Sequence, residues 1–376
     1  MKRLLFFISI LTIASLSTAC TMTGKKKDEI KVGVIASLKG DQASFGQSNW
    51  SGVKMAFDEI NARGDLGKKI VVYVEDDRSK AEEGATAAKK LVEQTGVHAI
   101  IGEVASSISL AAAPIAQKNK VPMISPASTN PAVTKVGTYI FRVCFIDPFQ
   151  GEAMARFAKN QLKSKRAAII TDIKNDYSVG LAKFFKDTFT KTGGEVVADV
   201  SYSAGDIDFK AQLTAIRTKN PDVIFIPGYY TEVGLIARQA RELGLKQPLL
   251  GGDGWDSPKT VEIGGAAIEN SYFSTHYSPE DANPRVQEFI KRYKEHFGTV
   301  PDAMAVLGYD AAYVLADAIK RAGGVDSEKL RDAIAETKNF PGISGSITID
   351  QDRNAQKPLV VLKIENGQYK FVDSVM

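Results

Sequence analysis

The stretch Ile101–Pro131, IGEVASSISLAAAPIAQKNKVPMISPASTNP, decides how this chain is read. Two short apolar strands, Val97 to Ile101 and Met123–Ile124, each run into a hydroxyl cluster and then a helix start. Ser106 and Ser107 open a helix through Leu110 and Ile115. Ser125, Ser128, Thr129 and Asn130 precede Pro131, which suits a first helical turn. Neighbouring parallel strands ending in helix N-termini place unpaired N–H groups and positive dipole ends together. Such a junction holds a carboxylate or phosphate without needing a basic side chain.

Outward from that stretch, strand and helix alternate. Ile30 to Ala36 and Ile70 to Glu75 read as strands, and Asn49 to Asn61 and Ala81 to Gln94 as helices, with Tyr139 to Val143 a further strand. Short connections and regular alternation predict a parallel sheet covered on both faces. After Ile146-Asp147-Pro148 a second series follows. Its strands are Arg166 to Thr171, Val196 to Ser201, Val223 to Pro227 and Leu249–Leu250, with helices near Leu181 to Lys191, Phe209 to Lys219 and Thr231 to Leu243. Beyond Tyr272 to Thr275 come three helices, Pro284 to His296, Ala303 to Ala322 and Ser327 to Glu336. Ser346 to Ile349 then leads to a hairpin, Leu359 to Glu365 and Gln368 to Val372, turned at Asn366-Gly367.

Helices without strands must cover an existing sheet. The economical arrangement is α/β: two doubly wound, Rossmann-like lobes joined by three crossovers around a cleft. Residues 29–147 and 276–345 form lobe 1, and 148–275 and 346–376 form lobe 2.

The chain has 376 residues, 44% hydrophobic and 24% charged, ordinary globular values that suit two cores. Residues 1–19 stand apart. Lys2 and Arg3, an apolar run from Leu4 and Ser17-Thr18-Ala19 before Cys20 make an export signal, too short in its strictly apolar core for a transmembrane anchor. The ending fits both an ordinary cleavage site and a bacterial lipobox with Cys20 lipidated, departing from the usual lipobox in Ser17. Residues 20–28 form a polar tether. Loss of Lys2 and Arg3 removes two of the charges behind the net +4, so no strong field argues for nucleic acid. Cys144 reads as a buried small residue. His98, His276 and His296 are scattered without metal-ligand spacing, and no cofactor motif is present.

Taken together, IKVGVIASLKG, SFGQ, AFDEINARGDLGKKI, VVYVEDDRSKAEEGATAAKKLV, IIGEVASS, PMISPASTNP, TDIKNDYSVGLA, GYYTEVGLIARQARELG and GGDGW resemble the bacterial extracytoplasmic binding proteins of the leucine, isoleucine and valine type. These feed amino-acid ABC importers, and the resemblance covers nearly the whole mature chain. It implies a type I periplasmic binding protein fold of Venus-flytrap form. It also implies a free amino acid as ligand, permease subunits as partners, a monomer, and no catalysis.

Carried over by position, Ser106 and Thr129 are the donors to the ligand carboxylate, with Ala127 the backbone partner beside them. Asp253 receives the ammonium. Phe45, Tyr177 and Tyr229 line the cleft, and Val104 and Ala105 flank the side-chain pocket. The chain departs from the family in Leu38-Lys39-Gly40-Asp41, where a Gly-Pro turn is frequent, and in Phe45, where a tyrosine is frequent. Ser79 and Ala105 stand where some members have a disulfide.

Read without the resemblance, the same residues have plainer roles. Ser106 and Thr129 are helix caps, Asp253 is a turn residue, Tyr177 and Tyr229 are core aromatics, and Trp255 is either cleft wall or core. A competing function, a nucleotide- or sugar-acting enzyme, would use Gly251-Gly252-Asp253-Gly254 as a phosphate loop, but no third glycine arrives at the required spacing. A closer alternative keeps the fold and binds amides, urea or aromatic acids, or serves as a sensor.

Overall fold

The structure is a computed structural model and describes residues 29–376. The export signal, Cys20 and the tether lie outside the described residues.

The first sheet contains β1 (Ile30–Ala36), β2 (Ile70–Asp76), β3 (Ala99–Ile101), β4 (Met123–Ser125) and β5 (Ile140–Arg142), all parallel, in the order β2-β1-β3-β4-β5. The second contains β6 (Arg166–Asp172), β7 (Glu195–Tyr202), β8 (Val223–Phe225), β9 (Leu249–Gly251) and β10 (Tyr272–Thr275). Taken from β7, their order β7-β6-β8-β9-β10 repeats that of the first sheet. In both, the order reverses beside the first strand, and that switch point opens a crevice at the carboxyl ends of the strands.

Side-chain alternation explains why each sheet is covered twice. Val32, Val34 and Ala36 face one core, while Ile35 faces another with Ile100, Met123 and Ile140. In the second lobe Ala168 and Ile170 point one way, and Ala167 and Ile169 the other.

The helices follow the expected series, with differences at their ends. α1 (Ala43–Arg63) starts six residues before the predicted Asn49. Phe45 is buried there, and Gly46 packs so close that a Cβ would lie 2.1 Å from the Ser37 carbonyl. α2 (Ala81–Lys89) continues as a π-helical turn to Thr95. α3 (Ser106–Lys118) takes Ala105 as its N-cap, with no side-chain cap. Ser106 and Ser107 are therefore its first helical residues and not the caps expected. After Pro131, α4 (Ala132–Lys135) is a single turn. α5 (Asp147–Asn160), α6 (Asp176–Lys191), α7 (Lys210–Lys219), α8 (Tyr230–Glu242) and α9 (Pro258–Gly264) belong to the second lobe.

α10 (Pro284–Phe297), α11 (Ala303–Ala322) and α12 (Ser327–Ala335) return to the first core, as the absence of strands among them predicted. A small antiparallel sheet follows: β11 (Phe340–Gly342), β12 (Gly345–Ile349) and β13 (Ala355–Gln356). Ile347, Ile349 and Ala355 are buried in the first core, and Ile349 N–H donates to the Thr337 carbonyl at 2.9 Å. The third crossover therefore lies between β13 and β14 (Leu359–Glu365), not at the expected 345/346 boundary. The apolar face of β12 has its partners among the lobe 1 helices. β14 adds antiparallel to β10 and pairs with β15 (Gln368–Val375) through Asn366-Gly367, both at positive φ as such a tight turn needs. No helix among the described residues is long and apolar enough to cross a membrane.

The lobes are in contact. Ser44 N–H donates to Tyr230 Oη at 3.2 Å, and the Ser44 and Ser257 hydroxyls meet at 2.7 Å. Asn130 Nδ2 donates to the Asp176 carbonyl at 2.8 Å, and Asp176 N–H donates to Ser107 Oγ at 3.1 Å.

Candidate ligand-binding site

Seven of the residues singled out in the sequence converge. Phe45, Val104, Ser106, Ala127, Tyr177, Tyr229 and Asp253, with Gly254 and Met304, line one tight space of about 10 Å³ between the lobes. Ala105 and Thr129 stand outside this lining. The Ala105 N–H turns to Glu103 Oε2 at 2.5 Å, and Ala105 borders an adjoining cleft that shares Tyr229 with the pocket.

The first lobe supplies hydroxyls held by a built network. Ser125 Oγ and Ser128 Oγ donate to the Glu103 carbonyl at 2.7 and 2.8 Å, and the Ser109 and Ser128 hydroxyls meet at 2.7 Å. These three serines are thus occupied in tying the strand ends of β3 and β4 together. Ser106 Oγ accepts Asn130 N–H at 3.2 Å. The segment carrying Thr129 is pinned from below: the fully buried Arg142 guanidinium donates to the Ser128 carbonyl and, at 2.8 Å, to that of Asn130.

Thr129 Oγ1 is buried and meets no partner at hydrogen-bonding geometry among the described residues. It lies near enough to the Asp147 carboxyl to temper that group's rise. Burial, with the charge of Asp253 adding to it, pushes Asp147 up to about 8.

The second lobe supplies the acid. Asp253 opens a 3-10 turn, Asp253–Trp255, at the end of β9, and is 3% exposed. Its N–H donates to Gln150 Oε1 at 2.8 Å, and the same oxygen accepts Ser274 Oγ at 2.8 Å. Oδ2 faces His276 Nε2 at 3.1 Å, whereas Oδ1 is buried with no partner among the described residues. The glycines around it serve close packing. A Cβ on Gly252 would lie 2.5 Å from Tyr177 Oη, and one on Gly254 would lie 2.5 Å from the Gly228 carbonyl. The Gly254 N–H donates to Tyr177 Oη at 3.1 Å. The GGDG run is thus accounted for by protein groups, side chain and backbone, packed against it, with no phosphate required.

Tyr177 and Tyr229 stack with ring centroids 5.3 Å apart, and Phe45 from the other lobe meets Tyr229 edge-on at 5.7 Å. Trp255, one reading of which put it in the cleft wall, is fully buried in the second lobe and donates Nε1–H to the Ile226 carbonyl at 3.0 Å. Cys144 is buried as expected, and burial pushes its thiol up to about 12.

Sequence reading missed Met304, Gln150, Arg142 and His276. Met304 and His276 sit just where a helix begins or a strand ends, which is a usable signal. Gln150 lies one helical turn into α5 and gives none.

A two-lobed α/β molecule closed over a pocket with hydroxyls on one lobe and a carboxylate on the other is the architecture of receptors that trap small polar ligands. The chain belongs to the periplasmic binding protein family, whose model matches residues 29–368. It is 33% identical over 324 residues to the Leu/Ile/Val-binding protein BraC3 of Rhizobium johnstonii, covering 85% of this chain and 87% of that one. Among solved structures it is similar to the leucine binding protein LivK of Thermotoga maritima, with TM-score 0.90 and 48% identity over 92% of this chain and 98% of that one. It is also similar to LivJ of Streptococcus pneumoniae, a branched-chain amino acid transporter substrate binding protein in complex with isoleucine. There the TM-score is 0.88 with 35% identity, over 92% and 99% of the two chains.

Proposed function

We infer that this protein captures a free amino acid with an aliphatic side chain in the interlobe pocket and delivers it to an ABC importer. The observation that carries this reading is the pairing of unlike polar ends. Asp253 Oδ1, buried without a partner among the described residues, offers an acceptor to an ammonium, and the Thr129 hydroxyl, beside the pocket and near the Asp147 carboxyl, offers a donor to a carboxylate. A buried carboxylate with one oxygen left unpaired is costly, so a cationic group is its natural complement. Phe45, Val104 and Met304 give the remaining wall an apolar character that suits an aliphatic side chain. Ser106 and Ala127 flank the carboxylate end, with Tyr177 and Tyr229 closing the pocket from the second lobe and Ala105 at its rim.

The protein acts as a monomeric, non-catalytic receptor outside the cytoplasm. Its leader directs export, and Cys20 carries a lipid that tethers it to the membrane face. Its partners are the permease subunits of the importer, which read the closed form.

Titration calorimetry tests the site. Wild type binds L-leucine or L-isoleucine, whereas Asp253→Ala and Thr129→Ala bind neither while keeping a wild-type melting transition. Retention of amino-acid binding by both variants overturns the assignment. The reading as a carrier of plain acids predicts instead that Asp253→Ala leaves binding intact.

A further inference from the structure

We propose that His276 is a positioning residue of this site: from a crossover strand, it turns the Asp253 carboxylate so that Oδ1 meets the ligand amine. This rests on the amino-acid reading of the pocket and concerns a residue that forms no part of its lining.

A carboxylate on a short side chain can rotate, and its two oxygens are equivalent until something distinguishes them. Here His276 Nε2 stands 3.1 Å from Oδ2, with both side chains buried. The imidazole cannot follow a rotating partner, because it is stacked on Phe145 at a centroid distance of 3.8 Å and an interplanar angle of 24°. The Asp253 backbone is fixed separately, by its N–H to Gln150. With ring and backbone both held, the bond to Oδ2 sets the carboxylate plane and leaves Oδ1 for the pocket.

The ring has one proton to give. Burial draws His276 down to about 4, with Asp253 opposing the fall and Lys357 adding to it, so the imidazole is neutral at physiological pH. A carboxylate only accepts, so that proton is on Nε2, and Nδ1, buried without a partner among the described residues, keeps its lone pair.

The placement gives the contact a second consequence. His276 directly follows β10 in the second crossover, Phe145 lies in the first just past β5, and Lys357 lies in the third. The acceptor for the ligand amine is thus aimed from the segments that join the two lobes.

The test measures binding of two probes by calorimetry: L-leucine, and 4-methylpentanoate, which has the same carbon skeleton without the amine. His276→Phe keeps a ring for the stack and removes the donor. L-Leucine affinity is expected to fall about tenfold or more, the worth of one hydrogen bond to a charged group, while 4-methylpentanoate affinity is unchanged. His276→Gln, which restores an N–H donor, recovers part of the loss.

Equal weakening of both probes would mean a merely structural role, and unchanged L-leucine binding would mean no role; either overturns the proposal. Asp253→Asn is measured in parallel. If it binds L-leucine as wild type does, the amino-acid reading itself fails, an outcome distinct from failure of the histidine alone. Should His276→Phe not fold, nitrogen-15 spectra of wild-type histidines decide. The Nε2–H tautomer, with its proton resonance moved by L-leucine and not by 4-methylpentanoate, supports the proposal, and an Nδ1–H tautomer overturns it.

Discussion

Asp256 and Asp302 come from opposite lobes, the first buried and the second half-buried. Asp256 accepts the Thr275 hydroxyl, while Asp302 caps α11 by accepting Ala305 N–H at 3.0 Å and also accepts Ser48 Oγ. Burial, with the Asp302 charge adding, pushes Asp256 up to about 8, and burial pushes Asp302 up to about 6. Both folded values lie above the ordinary aspartate value of about 4, so between them the folded state holds more protons than the unfolded chain. Stability therefore falls as pH rises through this window. Melting temperature should drop between pH 5 and 8, and Asp256→Asn should flatten part of that drop, as circular dichroism melts at several pH values would register. A slope unaffected by the substitution would refute the pairing.

At this scale, chemistry placed just past a strand is the most visible in sequence: Thr129 follows β4 and Asp253 follows β9. His276 follows β10 as visibly, but its role cannot be read there, because its partner is 23 positions away and only the fold makes them neighbours. Trp255 was ambiguous for the same reason, since a tryptophan beside the site's aspartate turns either way depending on what packs beneath it.

Among elements, the closest approach joins the first lobe's two long helices. A Cβ on Gly52 of α1 would lie 1.9 Å from the Ala305 carbonyl of α11, and one on Gly308 would lie 2.4 Å from the Asn49 carbonyl. Both obstacles are backbone and cannot rotate aside. Gly52→Ala is expected to force the helices apart and cost about 1–3 kcal/mol or more, read as a lowered urea midpoint. If the midpoint does not move, the helices are not held at this crossing.

The strands were legible because parallel strands buried on both faces read as short apolar runs. The start of α1 was not, since Ser44 and Ser48 disguise it as a loop while its burial comes from contacts made elsewhere. β11 and β13, three and two residues long, are too short to show any period.

For the molecule as a whole, alternation of strand and helix conveyed two lobes and a cleft. The repeated sheet order could be read only from pairing. The third crossover escaped because β12 has an apolar face that would fit either lobe, and only Ile347 and Ile349 against the lobe 1 helices decide between them. Closure itself was outside the reach of sequence. It depends on contacts such as Ser44 with Tyr230 and Asn130 with Asp176, each joining residues far apart in the chain.

The buried thiol on the first crossover gives this closure a timekeeper. In a chain beginning after Cys20, Cys144 is the one sulfhydryl, wholly buried and with its thiolate disfavoured. An alkylating reagent must wait for the bend to expose it. The labelling rate then counts excursions from the closed form, and saturating L-leucine should slow it in proportion to the open population that remains. Labelling that ignores the ligand would place this cysteine's exposure in some other motion.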